Sequence, residues 1–184
     1  GAVLSRPGMD LSSSSQDASP PDDRILVSVD RAYALARVFG RGSFKVSRSL
    51  KDFAAKVMDA GNPVLVLDLQ NCVGMDSTFM GVLAGISQRQ QKENGRKVML
   101  CGVSDKLVNL MRTLGLTQLV EIQEEVPETE TSEFAELQRN GETPLDSAHT
   151  MLEAHEKLVE IEEENRIRFQ DVLEYLREDI QRKG

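Results

Sequence analysis

Residues 63–83, PVLVLDLQNCVGMDSTFMGVL, contain the pattern that decides the fold. The run Val64-Leu65-Val66-Leu67 is apolar at every position, as in a strand that is covered on both faces. A polar loop follows at residues 70–75, and helical spacing then runs over about residues 77–93 and stops at Asn94-Gly95. A buried strand, a loop and a long helix in this order predict a parallel crossover unit of an α/β sheet.

The same alternation extends in both directions from this unit. Upstream, the pattern predicts an antiparallel pair of strands, closed by a Gly40-Arg41-Gly42 turn, and a helix that begins at Ser43. Downstream it predicts a strand, a helix capped by Ser104 and a last short strand. The predicted strands cover residues 25–29, 32–39, 64–67, 98–101 and 119–122. The fold class is therefore α/β, with a small mixed sheet of four to five strands and helices packed on it.

Composition divides the chain into four parts. Residues 1–24 are rich in Ser, Pro and Asp and are predicted to be disordered, while residues 25–123 form the α/β domain. Residues 124–144 are acidic and turn-rich, which favours a linker. Residues 145–184 are predicted to form an amphipathic C-terminal helix.

The C-terminal helix carries an apolar stripe that has to be buried somewhere. Its members are Leu158, Ile161, Phe169, Val172, Leu176 and Ile180, with Asn165 in the same row. One interpretation is packing against the helix's own domain. The other is a homodimer through a coiled coil, in which Asn165 would fix the register.

Charge and composition exclude several classes of function. A net charge of −8, with no Trp, 2 Tyr and 6 Phe, is atypical of a nucleic-acid binder. The longest apolar stretch, residues 80–86, is far shorter than the ~20 residues of a membrane span. No secretion signal precedes the domain, so we expect a cytoplasmic protein.

The polar residues at the carboxyl edge of the sheet do not form a recognisable catalytic set. Asp68 and Asp76 have no neighbouring His or Lys in sequence, and no phosphate-binding glycine pattern is present. The pair of cysteines, Cys72 and Cys101, is far from both histidines, which argues against a zinc site and favours buried thiols. We therefore expect no enzyme activity, no metal and no cofactor. By itself, Asp76-Ser77-Thr78 is typical of a helix cap.

The complete string Met75-Asp76-Ser77-Thr78-Phe79-Met80-Gly81-Val82-Leu83 changes this interpretation. It resembles the phosphorylation loop of STAS domains, whose pattern is Asp-Ser-Ser/Thr-Gly-Leu-Gly-Val. Residues 100–104 and 114–116 are similar to a second signature of the family, and residues 38–40 are similar to its strand-to-turn segment. The resemblance covers about residues 25–123 and is of the anti-sigma factor antagonist type.

This resemblance implies a binding protein that is switched by phosphorylation and acts in transcription regulation. The phosphoacceptor carries over to Ser77, with Thr78 as the alternative. The partner-binding residues would be Asp76, Ser77, Thr78, Phe79, Met80 and Gly81. The implied partners are an anti-sigma factor with serine kinase activity, the sigma factor that it releases and a serine phosphatase. A phosphate at a helix N-terminus is tolerated, so it would act on a docked partner and would leave the fold intact.

Three points remain open at the level of sequence. Phe79 replaces the first glycine of the family loop and is either an apolar anchor for the partner or a core residue. The acidic residue that the family has after Gly40 is replaced by Arg41-Gly42-Ser43. Finally, the domain could be a scaffold without a switch, as some STAS domains are in stress-sensing assemblies or lipid-transport machinery.

Overall fold

A computed structural model describes residues 22–61, 63–130, 133–139 and 141–184. Its strands are β1 (Arg24–Val29), β2 (Tyr33–Gly42), β3 (Val64–Asp68), β4 (Cys72–Met75), β5 (Val98–Cys101), β6 (Val120–Gln123) and β7 (Ala135–Glu136). They form one mixed sheet in the order β6-β5-β3-β2-β1-β7, with β4 paired to the C-terminal end of β2. Strands β2, β3, β5 and β6 run parallel to one another, whereas β1 is antiparallel to both β2 and β7.

The helices begin and end close to the predicted capping residues. Ser43 caps the first helix and Ser104 the third, while Gly95 ends the second with a positive φ of 82°. The helices are α1 (Phe44–Asp59), α2 (Ser77–Asn94), α3 (Asp105–Thr113), α4 (Pro144–Ile161) and α5 (Glu164–Lys183). The α/β fold class and the mixed sheet are confirmed.

Two short strands were missed, and both lie in segments predicted to be irregular. Residues 72–75 form β4, because their backbone pairs in parallel with residues 40–42. The predicted Gly40-Arg41-Gly42 turn is wrong for the same reason: β2 continues through it, with a register shift after Gly40. This pairing brings the start of α2 beside the end of β2.

Described parts of the segment at residues 124–144, predicted to be a linker, cover the second face of the sheet. Val126 and Phe134 pack against a small cluster formed by Leu35, Val66, Met99 and Cys101. The guanidinium of Arg37 lies 4.3 Å above the ring of Phe134. β7 then adds an edge strand beside β1. An apolar second face has to be covered, and this segment supplies the cover.

At the amino terminus, the predicted disorder of residues 1–24 falls almost entirely outside the described residues. Arg24, however, is the first residue of β1. Asp23 accepts hydrogen bonds from the backbone of Arg41 at 3.0 Å and from the hydroxyl of Ser43 at 2.6 Å. The ordered domain thus begins earlier than the sequence indicated.

The prediction of a single C-terminal helix is wrong: the chain forms two helices, α4 and α5, which are separated by Glu162 and Glu163. The Asn165 amide donates to the carbonyl oxygens of Leu158 and Leu114, at 2.7 and 2.9 Å. The side chains that pack toward the domain include Ala154, Leu158 and Phe169. Of the two interpretations of the stripe, packing against the chain's own domain is the one that the structure shows.

Candidate functional site

The candidate site lies where β4 joins α2. The backbone N–H of Asp76 donates to the carbonyl of Gly42 at 2.9 Å, which fixes the loop to the end of β2. Asp76 is the N-cap of α2, as its sequence context indicated: its Oδ1 accepts from the N–H of Phe79 at 2.9 Å. Its second oxygen accepts from the N–H of Phe44 at 2.7 Å. One carboxylate therefore serves the first turns of both α1 and α2.

Ser77 is the first residue of α2 and is half-buried. Its hydroxyl lies 2.7 Å from Nε2 of His155, a residue of α4 that is 78 positions away in sequence. The other ring nitrogen, Nδ1, lies 2.7 Å from the carbonyl oxygen of Met151. A carbonyl oxygen only accepts hydrogen bonds, so Nδ1 carries the ring proton. In the neutral ring Nε2 then accepts a hydrogen bond from the Ser77 hydroxyl, which keeps its proton.

The environment of His155 favours that neutral form. Burial lowers its pKa below the ordinary value of 6.5, against the opposing effects of the Met151 carbonyl and the charge of Asp76. The ring also meets the edge of Phe169 from α5, with the ring centroids 5.0 Å apart. The Ser77 hydroxyl is therefore held by a buried, neutral imidazole.

The other predicted partner-binding residues are mostly inaccessible. Thr78, Phe79 and Met80 are buried, the last two completely. Of the two alternatives for Phe79, an apolar anchor for the partner or a core residue, the structure shows a core residue. Gly81 is buried too, because the backbone of α4 crosses it. Asp76 and Ser77 are the members of the predicted set that keep partial exposure.

The two departures from the family pattern each have a structural counterpart. A Cβ at Gly42 would lie 2.8 Å from the Phe79 ring, so the glycine leaves room for the aromatic side chain. Near Gly40, a carboxylate is supplied by Asp23, which binds the backbone of Arg41 and the hydroxyl of Ser43. Both substitutions are therefore accommodated within the loop region.

The remaining polar groups at the sheet edge are engaged structurally. Asp68 forms an ion pair with Arg37 at 3.3 Å and accepts from the N–H of Gln70 at 3.1 Å. Cys72 and Cys101 are free and buried, as predicted. Burial raises the pKa of Cys101 to about 11, so its thiol is a poor nucleophile.

His155 is the residue that the sequence analysis missed. It belongs to the buried row of α4 between Met151 and Leu158, at helical spacing from both. A histidine in an apolar row is a usable signal for a buried polar contact. The identity of its partner depended on how α4 docks, which the sequence did not reveal.

The described residues contain neither a metal-binding cluster nor a membrane-spanning helix. No group of three or more His, Cys, Asp or Glu side chains there could hold a metal ion. None of the helices in those ranges has the length and hydropathy of a membrane span.

Comparison with known proteins identifies the family. A family model for the STAS domain matches residues 28–129, and the chain belongs to that family. A search of curated proteins gave no match.

Solved structures with a similar fold include SpoIIAA in two forms. The unphosphorylated anti-sigma factor antagonist SpoIIAA has 15% identity and a TM-score of 0.46, over 56% of this chain and 89% of its own. The phosphorylated Bacillus cell fate determinant SpoIIAA has 17% identity and a TM-score of 0.45, over 55% of this chain and 92% of its own. TM1081 from Thermotoga maritima has 15% identity and a TM-score of 0.48, over 54% of this chain and 86% of its own.

Proposed function

We propose that this STAS domain is an anti-sigma factor antagonist that is switched by phosphorylation at Ser77. It binds an anti-sigma factor with serine kinase activity, and the phosphorylated form releases that partner. A serine phosphatase restores binding. The observation that carries the proposal is the hydroxyl of Ser77 directly after the Asp76 cap, at the strand-to-helix junction of a STAS domain.

The chemistry of the switch is compatible with this position. Ser77 Oγ would attack the γ-phosphorus of ATP, ADP would leave, and the hydroxyl proton would pass to a base of the kinase. The product carries about −1.5 to −2 charge, which the free N–H groups and dipole of α2 tolerate. The same charge beside Asp76 opposes the close, dry contact that a docked partner requires.

The test uses bait proteins incubated with ATP in an extract of the native host. We expect the wild-type chain to gain one phosphate by intact mass and Ser77→Ala to gain none. The matched control is Ser104→Ala, which removes another helix-start hydroxyl, at the cap of α3. A phosphate that remains on Ser77→Ala would move the acceptor elsewhere and contradict the assignment.

Partner capture completes the test. Ser77→Ala should retain an anti-sigma factor on the resin, whereas Ser77→Asp should retain less of it. Equal capture by both variants, together with no modification of Ser77, would contradict the switch.

The second candidate function is a scaffold without a switch. The observation in its favour is that the Ser77 hydroxyl already has a structural partner in His155, at 2.7 Å. A scaffold predicts that Ser77→Ala and Ser77→Asp bind the same partners as the wild-type chain. The capture experiment therefore separates the two functions.

A further inference from the structure

The α4 helix packs directly on the N-terminal half of α2. At Gly81 the two backbones touch: a Cβ there would lie 2.7 Å from Cα of Ala154 and closer still to its carbonyl group. One turn later, a Cβ at Gly85 would meet only the end of the Lys157 side chain, at 3.9 Å. Of these two positions, only Gly81, one turn after Ser77, lies against the backbone of α4.

Apolar side chains hold α4 in this position. Ala154 and Leu158 are buried against the domain, and Phe169 of α5 closes the far side of His155. Burial of such side chains contributes most of the stability of a docked helix. The Ser77–His155 hydrogen bond lies within this interface, so the acceptor hydroxyl is part of it.

Polar contacts at its edges join α4 to both α1 and α2. Glu153 forms an ion pair with Lys51 of α1. Asp146 pairs with Arg48, also of α1, at 2.7 Å. Lys157 donates to Gln88 of α2 at 2.8 Å. Exposed pairs of this kind contribute little each, and they can exchange for solvent when α4 leaves.

We propose that α4 and α5 form a tethered cover over the Ser77 loop and have to move away before a partner reaches it. The inference rests on the proposed function for the identity of the partner, an anti-sigma factor kinase. In the covered conformation the Ser77 hydroxyl is bonded to His155, and Gly81 lies beneath Ala154. A kinase has to accept this serine in its own active site, so α4 and the kinase compete for one surface.

The cover also couples phosphorylation of Ser77 to the displacement of α4. A phosphate on Ser77 would be a dianion close to Asp76, and the 2.7 Å contact between the Ser77 hydroxyl and His155 leaves no room for a phosphoryl group between them. The covered conformation therefore excludes phosphorylated Ser77. After modification, α4 stays displaced until the phosphate is removed.

Gly81→Ala tests the cover by a change outside the contact between residues 77 and 155. The new methyl group collides with the backbone of α4, whereas alanine within α2 itself is a better helix former than glycine. Gly85→Ala makes the same chemical change in the same helix with only an ordinary contact, and is the matched control. Accessibility at position 77 is read by placing Ser77→Cys in each 184-residue chain and labelling with iodoacetamide.

Peptide mapping distinguishes position 77 from the buried Cys72 and Cys101. We expect Gly81→Ala to speed labelling at position 77 on the order of tenfold or more, because local opening limits access. Gly85→Ala should change it by less than about twofold. Hydrogen exchange should show faster exchange across α4 in Gly81→Ala, with β3 and β5 still protected.

Several outcomes would overturn the proposal. Rapid labelling at position 77 in the parent chain would mean that α4 leaves the hydroxyl accessible. Faster exchange in α4 without faster labelling would mean that something else protects Ser77. If hydrogen exchange shows that Gly81→Ala also unprotects β3 and β5, the test is repeated with Leu158→Lys in place of Gly81→Ala. This substitution removes an apolar contact that holds α4 on the domain. The labelling needs no kinase, so its failure is distinct from a failure of the phosphorylation test.

Discussion

At the scale of the residue, Asp76 serves two helices. Its carboxylate accepts one backbone N–H from α2 and one from α1, so the loop and both helix starts depend on it. Because this geometry is structural, Asp76 has a role whether or not Ser77 is a switch. Its substitution is therefore a test of the site's architecture.

We expect Asp76→Ala to lower the free energy of unfolding by about 2 to 3 kcal/mol, since a cap is worth about 1 kcal/mol and a hydrogen bond to a charged group about 1.5. Asp76→Asn keeps a single acceptor oxygen and should cost about half as much. Ser104→Ala, which removes one cap from α3, is the control at about 1 kcal/mol. Urea unfolding followed by circular dichroism measures all three. Equal losses for Asp76→Ala and Ser104→Ala would contradict the double role.

At the scale of the element, the strands and helices that could be predicted are those whose own residues carry the pattern. The first four residues of β3 are apolar, and α2 begins and ends at capping residues, so both elements could be identified from sequence. β4 has four residues, one of them Gly74, and is a strand only because the end of β2 lies beside it. The docking of α4 on α2 depends on the contact of Gly81 with Ala154, which are distant in sequence.

The docking of α4 should depend on pH through His155. Burial lowers its pKa below 6.5, so the covered state binds fewer protons than a state with α4 released. The stability contributed by docking is therefore complete above about pH 6.5 and decreases as the pH falls toward the lowered pKa. The charged group facing the ring is Asp76, which opposes the shift, while Phe169 from α5 is uncharged.

Urea unfolding between pH 7.5 and 5.5 tests this dependence. We expect the wild-type chain to lose more stability over this range than His155→Gln, which cannot gain the proton. His149 is exposed on the same helix, so His149→Gln should follow the wild type. Parallel curves for wild type and His155→Gln would show that burial of the imidazole does not control docking.

At the scale of the whole molecule, the tail and the domain form a continuous core. The main cluster of buried residues includes strand residues, α2 and side chains of α4 and α5 such as Leu158 and Phe169. The apolar stripe that suggested a homodimer is therefore largely used within one chain. Outside this core, α5 carries three exposed apolar side chains, those of Ile167, Val172 and Tyr175.

These three side chains are too few for a stable interface, which buries about 1,200–2,000 Å². We expect the 184-residue chain to be a monomer by light scattering at micromolar concentration. A dimer that Ile167→Glu dissociates would show that the outer face of α5 mediates self-association. A dimer that survives Ile167→Glu but dissociates in Gly81→Ala would show that α4 and α5 pair between chains, because that substitution acts only where α4 crosses α2. The oligomeric state thus decides whether each Ser77 is covered by its own chain or by a second copy.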